Sequence, residues 1–347
     1  MRSKLPLVLL IVSLASLVAC GKKDAHESTS EPVQTAAKPS PTSFFKPLAP
    51  VEVDEAKMAL GRKLYFDTRL SGDGTLTCAS CHAFDKGGAD AAKTSTGIRG
   101  QLGPINSPTV LNSHLNFVQF WDGRAETLAE QALGPVENPV EMGALWPDVV
   151  ERLREDEALV AEFAAFYEEG ITKETVADAI AEYERALGTP APFDRYLEGD
   201  ADAISDEAKR GLEVFVATGC TTCHAGEGLG GSMYQKMGLL QNYFELRGGE
   251  ITEADLGRYN VTGKESDKHF FKVPLLRNIE LTAPYFHDGS VDSLDESVKI
   301  MAKVQLGREL SDEDTQLIVA FLKTLTGELP PHASDPALDG ADESEEG

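Results

Sequence analysis

The chain has 347 residues, enough for about two domains on length alone. Its 57 acidic and 32 basic residues give a formal charge of −25. That excludes nucleic acid as a partner, because phosphates need a basic surface. It suits a soluble partner with a positive face, because long-range fields steer encounters.

In chain order, the first feature is an export signal. Arg2 and Lys4 precede an apolar run from Leu7 to Leu17, too short to span a bilayer comfortably. Leu17-Val18-Ala19-Cys20 resembles a bacterial lipobox. It predicts removal of residues 1–19, lipidation of Cys20 and a periplasmic body whose only membrane attachment is that anchor. Residues 20–47 are rich in Ser, Thr, Pro and Ala and predict a flexible tether, in which His26 is inert.

Two segments then rhyme. Leu60-Gly61-Arg62-Lys63-Leu64-Tyr65-Phe66 precedes Cys78-Ala-Ser-Cys81-His82, and Arg210-Gly211-Leu212-Glu213-Val214-Phe215 precedes Cys220-Thr-Thr-Cys223-His224. Further helical patterns run over Ala125–Leu133, over Asp148–Tyr167 as one or two helices, and over Thr172–Leu187 behind a capping signature. The last pattern, Ser311–Thr326, starts at an N-cap serine and ends with Gly327 as C-cap. Long strand-like alternation is missing. The expected class is mainly α: two cytochrome c-like domains, 48–190 and 191–330, with long loops and little β structure. Residues 331–347 read as a disordered acidic tail, with His332 inert.

The two CxxCH motifs carry the chemistry. Cysteines three apart reach the two vinyl groups of one haem and form thioethers, and the adjacent histidine ligates the iron. Cys78, Cys81 and His82 therefore hold one covalent haem c, and Cys220, Cys223 and His224 a second. A zinc site built from the two CxxC pairs is the rival, disfavoured by the two adjacent histidines and by export. The sixth iron ligand decides between electron transfer and substrate binding. The candidates are His114, His269, His287, Met142, Met233, Met237 and Met301, and spacing alone does not choose among them.

Three stretches resemble the bacterial diheme cytochrome c peroxidase family. They are Gly103-Pro-Ile-Asn106-Ser-Pro-Thr109; Gln119-Phe-Trp121-Asp-Gly-Arg124-Ala, running on to Pro139-Val-Glu141-Met-Gly143; and Phe271-Lys-Val-Pro-Leu-Leu-Arg277-Asn278, followed by Ala283-Pro284-Tyr-Phe-His287-Asp-Gly289. With both haem motifs in order, the match covers roughly residues 48–329. The resemblance implies a peroxide-reducing N-terminal haem with His82 as proximal ligand. It implies an electron-storing C-terminal haem ligated by His224 and Met301. It makes Glu141 the acid/base that moves the peroxide proton. Gln131 and Pro135 line the same pocket, and Trp121 couples the haems. Trp146 has no such context and reads as packing. Asn106, Thr282 and Pro284 match calcium ligands between the domains. Arg277 and Asn278 match positions that could serve haem propionates. The electron donor is a small c-type cytochrome or a cupredoxin, and the family suggests a homodimer.

One position departs from the pattern. Many relatives carry a loop histidine that caps the peroxide haem until the other haem is reduced. The matching loop here is Thr96-Gly97-Ile98-Arg99-Gly100-Gln101, with Ile98 in its place. The N-terminal haem is therefore expected to be open, or weakly capped by water, in the fully ferric protein. The rivals are a non-enzymatic diheme electron-transfer cytochrome, a relative that oxidises a protein tryptophan (those carry tyrosine where Met301 stands), and a sensor module.

Overall fold

Each half of the chain is built on a helix pair whose crossing point is a glycine. The computed structural model describes residues 40–339. The signal sequence, Cys20, His26 and the acidic residues after 339 lie outside the described residues. In the first half, α1 (Glu55–Tyr65) crosses α5 (Lys173–Arg185), with α2 (Leu128–Glu137), α3 (Trp146–Arg154) and α4 (Glu157–Ala164) between them in sequence. In the second half, α6 (Pro192–Leu197) leads to α7 (Asp206–Thr218), which crosses α11 (Asp312–Lys323). Between those two come α8 (Tyr243–Arg247), α9 (Tyr259–Thr262) and α10 (Leu294–Leu306). A small antiparallel ribbon pairs β1 (Tyr234–Lys236) with β2 (Phe270–Lys272), in the register Tyr234 opposite Lys272. Among the described residues no helix is long and apolar enough to cross a membrane.

The rhyme between the halves has a steric cause. A Cβ on Gly61 would collide with the Ala179 carbonyl, and its next neighbour is Tyr183 Cβ. A Cβ on Gly211 would collide with the Leu317 carbonyl beside Phe321 Cβ. Both crossings need the helix backbones in contact, which only glycine permits. At an exposed helical site Gly→Ala stabilises by about 1 kcal/mol. Here the sign reverses, because the obstacle is backbone and cannot rotate away. Gly61→Ala and Gly211→Ala are each expected to destabilise by about 1–3 kcal/mol in guanidinium unfolding. Gly134→Ala in α2, where the added methyl meets only Phe120 at 3.4 Å, is the control that should not.

The capping signals act as their chemistry requires. Thr172, Ser205 and Ser311 each accept a hydrogen bond from the third residue of the helix they open. Two local expectations need correction. The pattern begun at Ala125 is helical only from Leu128, with Thr127 as N-cap. Gly327 is not a C-cap: the last helix ends at Lys323 with Thr324 as cap. Gly327 instead passes tightly over the Thr189 carbonyl, and its N–H donates to Asn278 Oδ1 at 3.0 Å.

The first core gathers Leu60, Leu64, Tyr65, Val149, Phe163, Ile180 and Tyr183. Trp146 is buried there, its indole N–H donating to the Leu133 carbonyl. The second core gathers Phe193, Phe215, Phe321 and Leu325. Both terminal segments strap across to the opposite half, against the expectation that they are loose. Residues 41–44 form a 3₁₀ turn, and Phe45 is buried edge-on to Phe193 at 5.4 Å between ring centroids in the second core. Two adjacent phenylalanines bury too much apolar area to remain in a tether. At the other end, His332 donates Nε2–H to the Ala186 carbonyl, and its own carbonyl accepts from Tyr183 Oη. Arg62 reaches Ser334 and forms a bidentate pair with Asp339. Residues 331–339 therefore pack on the first domain, and His332 anchors them.

Candidate active site

Both CxxCH motifs fold into the same local device. Residues 78–80 and 220–222 are 3₁₀ turns, and the His82 and His224 amides close back on the Cys78 and Cys220 carbonyls. Each imidazole Nδ1 faces a backbone carbonyl, Gly88 O at 3.2 Å and Leu229 O at 2.9 Å. A carbonyl only accepts, so Nδ1 carries the proton and Nε2 keeps its lone pair. Burial pushes both imidazoles down, which keeps them neutral. That is the arrangement an iron ligand needs.

Each motif opens onto its own apolar cavity. The first is lined by Cys78, Cys81 and His82 together with Gln131, Pro135 and Glu141. The second is lined by Cys220, Cys223, His224, Met237 and Met301. Two cysteines, a neutral imidazole and apolar walls in each cavity fit a covalent haem. The Asn106–Thr109 segment, Asn116, Trp121 and Lys272 line both cavities, so they form the wall between them.

Backbone hydrogen bonds between the halves set that wall. Lys272 N donates to Trp121 O at 2.8 Å, and Asn106 N donates to His287 O at 2.8 Å. The Trp121 indole N–H donates to Asn106 O at 2.9 Å, which pins the ring edge-on to His287.

Glu141 is half-buried, and its Oε1 accepts from Asn138 Nδ2 at 2.9 Å. Burial raises its carboxyl above the ordinary range, opposed by Arg124 and Asn138. Arg124 lines the same cavity, lies 3.4 Å over the Phe120 ring and pairs with Asp122.

Ile98 does not face the cavity. It is 1% exposed and packs against Gly72 and Gly143, while Gly97 lines the cavity in its stead. The loop is stapled to the Glu141 segment: Ile98 N donates to Glu141 O at 2.7 Å, and Gln101 Nε2 to Pro139 O at 2.8 Å. A Cβ at Gly97 would collide with the Val140 carbonyl, so the approach is as close as backbone allows.

The other sequence candidates sort by what they already bind. His287 is fully buried, stacks on Phe271 at 4.4 Å and gives Nε2 to Asp255 at 2.8 Å. His269 gives Nδ1 to the Asp255 carbonyl. Arg247 pairs with both Asp255 and Asp288. His114 and Met233 line neither cavity, and Met142 packs in the first core. Arg277 does not serve a haem. Its guanidinium is fully buried, pairs with both Asp194 oxygens at 2.7 and 2.8 Å, and gives Nε to Glu227 O. Asn278 is likewise committed, to Thr189 and Gly327. Asn106, Thr282 and Pro284 all border the second cavity. Asn106 spends its Nδ2 on Ala92 O, which leaves its Oδ1 as the oxygen a hard cation could use.

Two residues were not foreseen. Glu184, on α5, lines the first cavity, and burial pushes its carboxyl up to about 8. Lys272 is 5% exposed within the shared wall. No sequence signal marks Glu184, which reads as one more acid on a helix.

Paired CxxCH cavities, one bordered by carboxyls and the other by thioethers, define a two-haem c-type cytochrome. A family model for di-haem cytochrome c peroxidase matches residues 55–202. The cytochrome c peroxidase Ccp of Escherichia coli K12 is 47% identical over 313 residues, 90% of this chain and 64% of the relative's length. The cytochrome c551 peroxidase of Nitrosomonas europaea is 44% identical over 82% of this chain and 85% of the relative. The crystal structure of a MauG-like protein associated with microbial copper homeostasis superposes with a TM-score of 0.72 at 30% identity, covering 84% of this chain and 97% of that one. The chain belongs to the di-haem cytochrome c peroxidase family.

Proposed function

We propose that this chain reduces hydrogen peroxide to water in the first cavity, with two electrons from a small c-type cytochrome or a cupredoxin. The observation that carries the reading is Glu141 in the same cavity as His82, with one carboxylate oxygen held by Asn138. Bound there, the haem supplies an iron for one peroxide oxygen and takes up and passes on the electrons. The chain's own part is proton handling. Glu141 Oε2, left free by the Asn138 bond to Oε1, accepts the proton from one peroxide oxygen and returns it to the other, so that water leaves. Gln131 and Pro135 bound the space in which peroxide turns. Trp121, immobilised by Asn106, fills the path between the cavities. His224 and Met301 hold the second haem, and the thioether favours its ferrous form. Asn106, Thr282 and Pro284 hold calcium across the junction. Cys20 anchors the exported protein in the periplasm by its lipid.

The stapled loop supports an N-terminal haem that needs no reductive opening. Ile98 is tied down behind Glu141, and burial of its side chain opposes a swing into the cavity. The fully ferric protein is expected to oxidise a reduced c-type cytochrome with peroxide at a rate within a few-fold of the half-reduced protein. Turnover confined to the half-reduced protein would show another group capping the haem. Turnover in neither state, with haems intact, would favour the electron-transfer reading.

A further inference from the structure

The wall between the cavities contains a buried cation without a counter-charge. Lys272 ends β2, and its backbone is fixed by the ladder to Tyr234 and by the bond to Trp121 O. The residue borders both cavities and is 5% exposed. Among the described residues no carboxylate pairs with Lys272. Glu141 and Glu184, which line the first cavity, are not within ion-pair reach of it. Arg124, the other basic side chain lining the first cavity, is 43% exposed and already bound to Asp122. Burial alone pushes the Lys272 ammonium down to about 8.

A buried lysine without a partner is costly, and proteins retain one when something else supplies the charge. The cavities are built for a group that has it. A haem is apolar apart from its iron and two carboxylate side groups. Arg277, whose motif points to those carboxylates, lines neither cavity and is buried in its pair with Asp194, with its Nε–H given to the Glu227 carbonyl.

We propose that the Lys272 ammonium binds haem propionate in the wall shared by the two cavities, as a cofactor-positioning group. The inference rests on the two-haem reading and not on peroxide chemistry. A fixed positive charge there favours the ferrous state of the haem it pairs with. It also holds that haem's edge against the wall that carries Trp121. One charge placed between the cavities thus contributes both to cofactor position and to the driving force for transfer between haems.

The test uses the two-haem protein without peroxide. Lys272→Met keeps length and removes charge, Lys272→Gln keeps polarity, and Lys272→Arg keeps charge. Each is titrated spectroelectrochemically, with resonance Raman of the propionate bending modes. In the Met or Gln variant, whichever loads both haems, the reduction equilibrium of at least one haem should shift tenfold or more against the ferrous form, 59 mV for one electron. The propionate mode of that haem should move with it, and Lys272→Arg should restore both. Wild-type potentials and unmoved propionate modes in the uncharged variants would overturn the proposal, whatever happens to turnover.

Discussion

Glu141→Gln is expected to lower kcat for peroxide-dependent cytochrome oxidation by roughly 10²–10⁴-fold, the range for a positioned general acid–base. Glutamine fills the same space and can still meet Asn138, so the haem absorption spectrum and the unfolding midpoint should stay near wild type. What it loses is an atom that takes a proton and gives it back. The pH profile supplies a second readout. Glu141 must be ionised to accept the first proton, and burial holds its carboxyl above the ordinary value. Activity should therefore rise with pH through that raised pKa and fall off below it. The acidic limb should vanish in the glutamine variant, whose residual rate has no carboxyl to titrate. A variant that keeps full kcat and the same limb would remove Glu141 from the chemistry.

Met301→Leu should have the largest effect on electron supply. Met301 lies on α10 and borders the cavity that holds His224. Leucine preserves apolar volume, so the helix should remain in place. The thioether is lost, and with it, on the proposed ligation, the ligand that stabilises ferrous iron. Axial ligands span about 0.8 V of haem potential, and the C-terminal haem should fall by a substantial part of that range. The sulfur-to-iron charge-transfer absorption should disappear and donor oxidation should slow severalfold or more. Met237 also borders that cavity but is buried in a small cluster with Tyr243, Phe244 and Phe271. Met237→Leu is the control, expected to leave the potential unchanged. Reversal of the two results would make Met237 the ligand.

The shared crossing explains why local pattern was informative here. In Gly-x-x-aliphatic-aromatic, the glycine lets α1 meet α5 and α7 meet α11 at backbone distance, and the aromatic residue four further on faces the core. CxxCH is equally local, because the turn, the thiols and the imidazole lie within five residues. The capping serines and threonines are local too, and they act where expected.

Non-local balance decided the rest. Arg277 sits in a motif that points to a haem, yet its partner Asp194 is 83 residues away in sequence. Nothing in either segment announces the pair. Phe45 and His332 read as tether and tail because they close or open segments that are mostly polar or acidic, and the surfaces that order them belong to the opposite half. Ile98 read as a vacancy for histidine. The tertiary structure shows more than an absence, since the apolar side chain holds the loop against the Glu141 segment.

The sequence by itself determined two covalent haem sites, the helical class and the carboxyl-bearing motif, because each is written within a few residues of chain. Only the tertiary structure decided which wall the cavities share and which cation is left unpaired in it. It also decided which arginine is already spent, because burial and pairing depend on segments that meet only when both halves are folded.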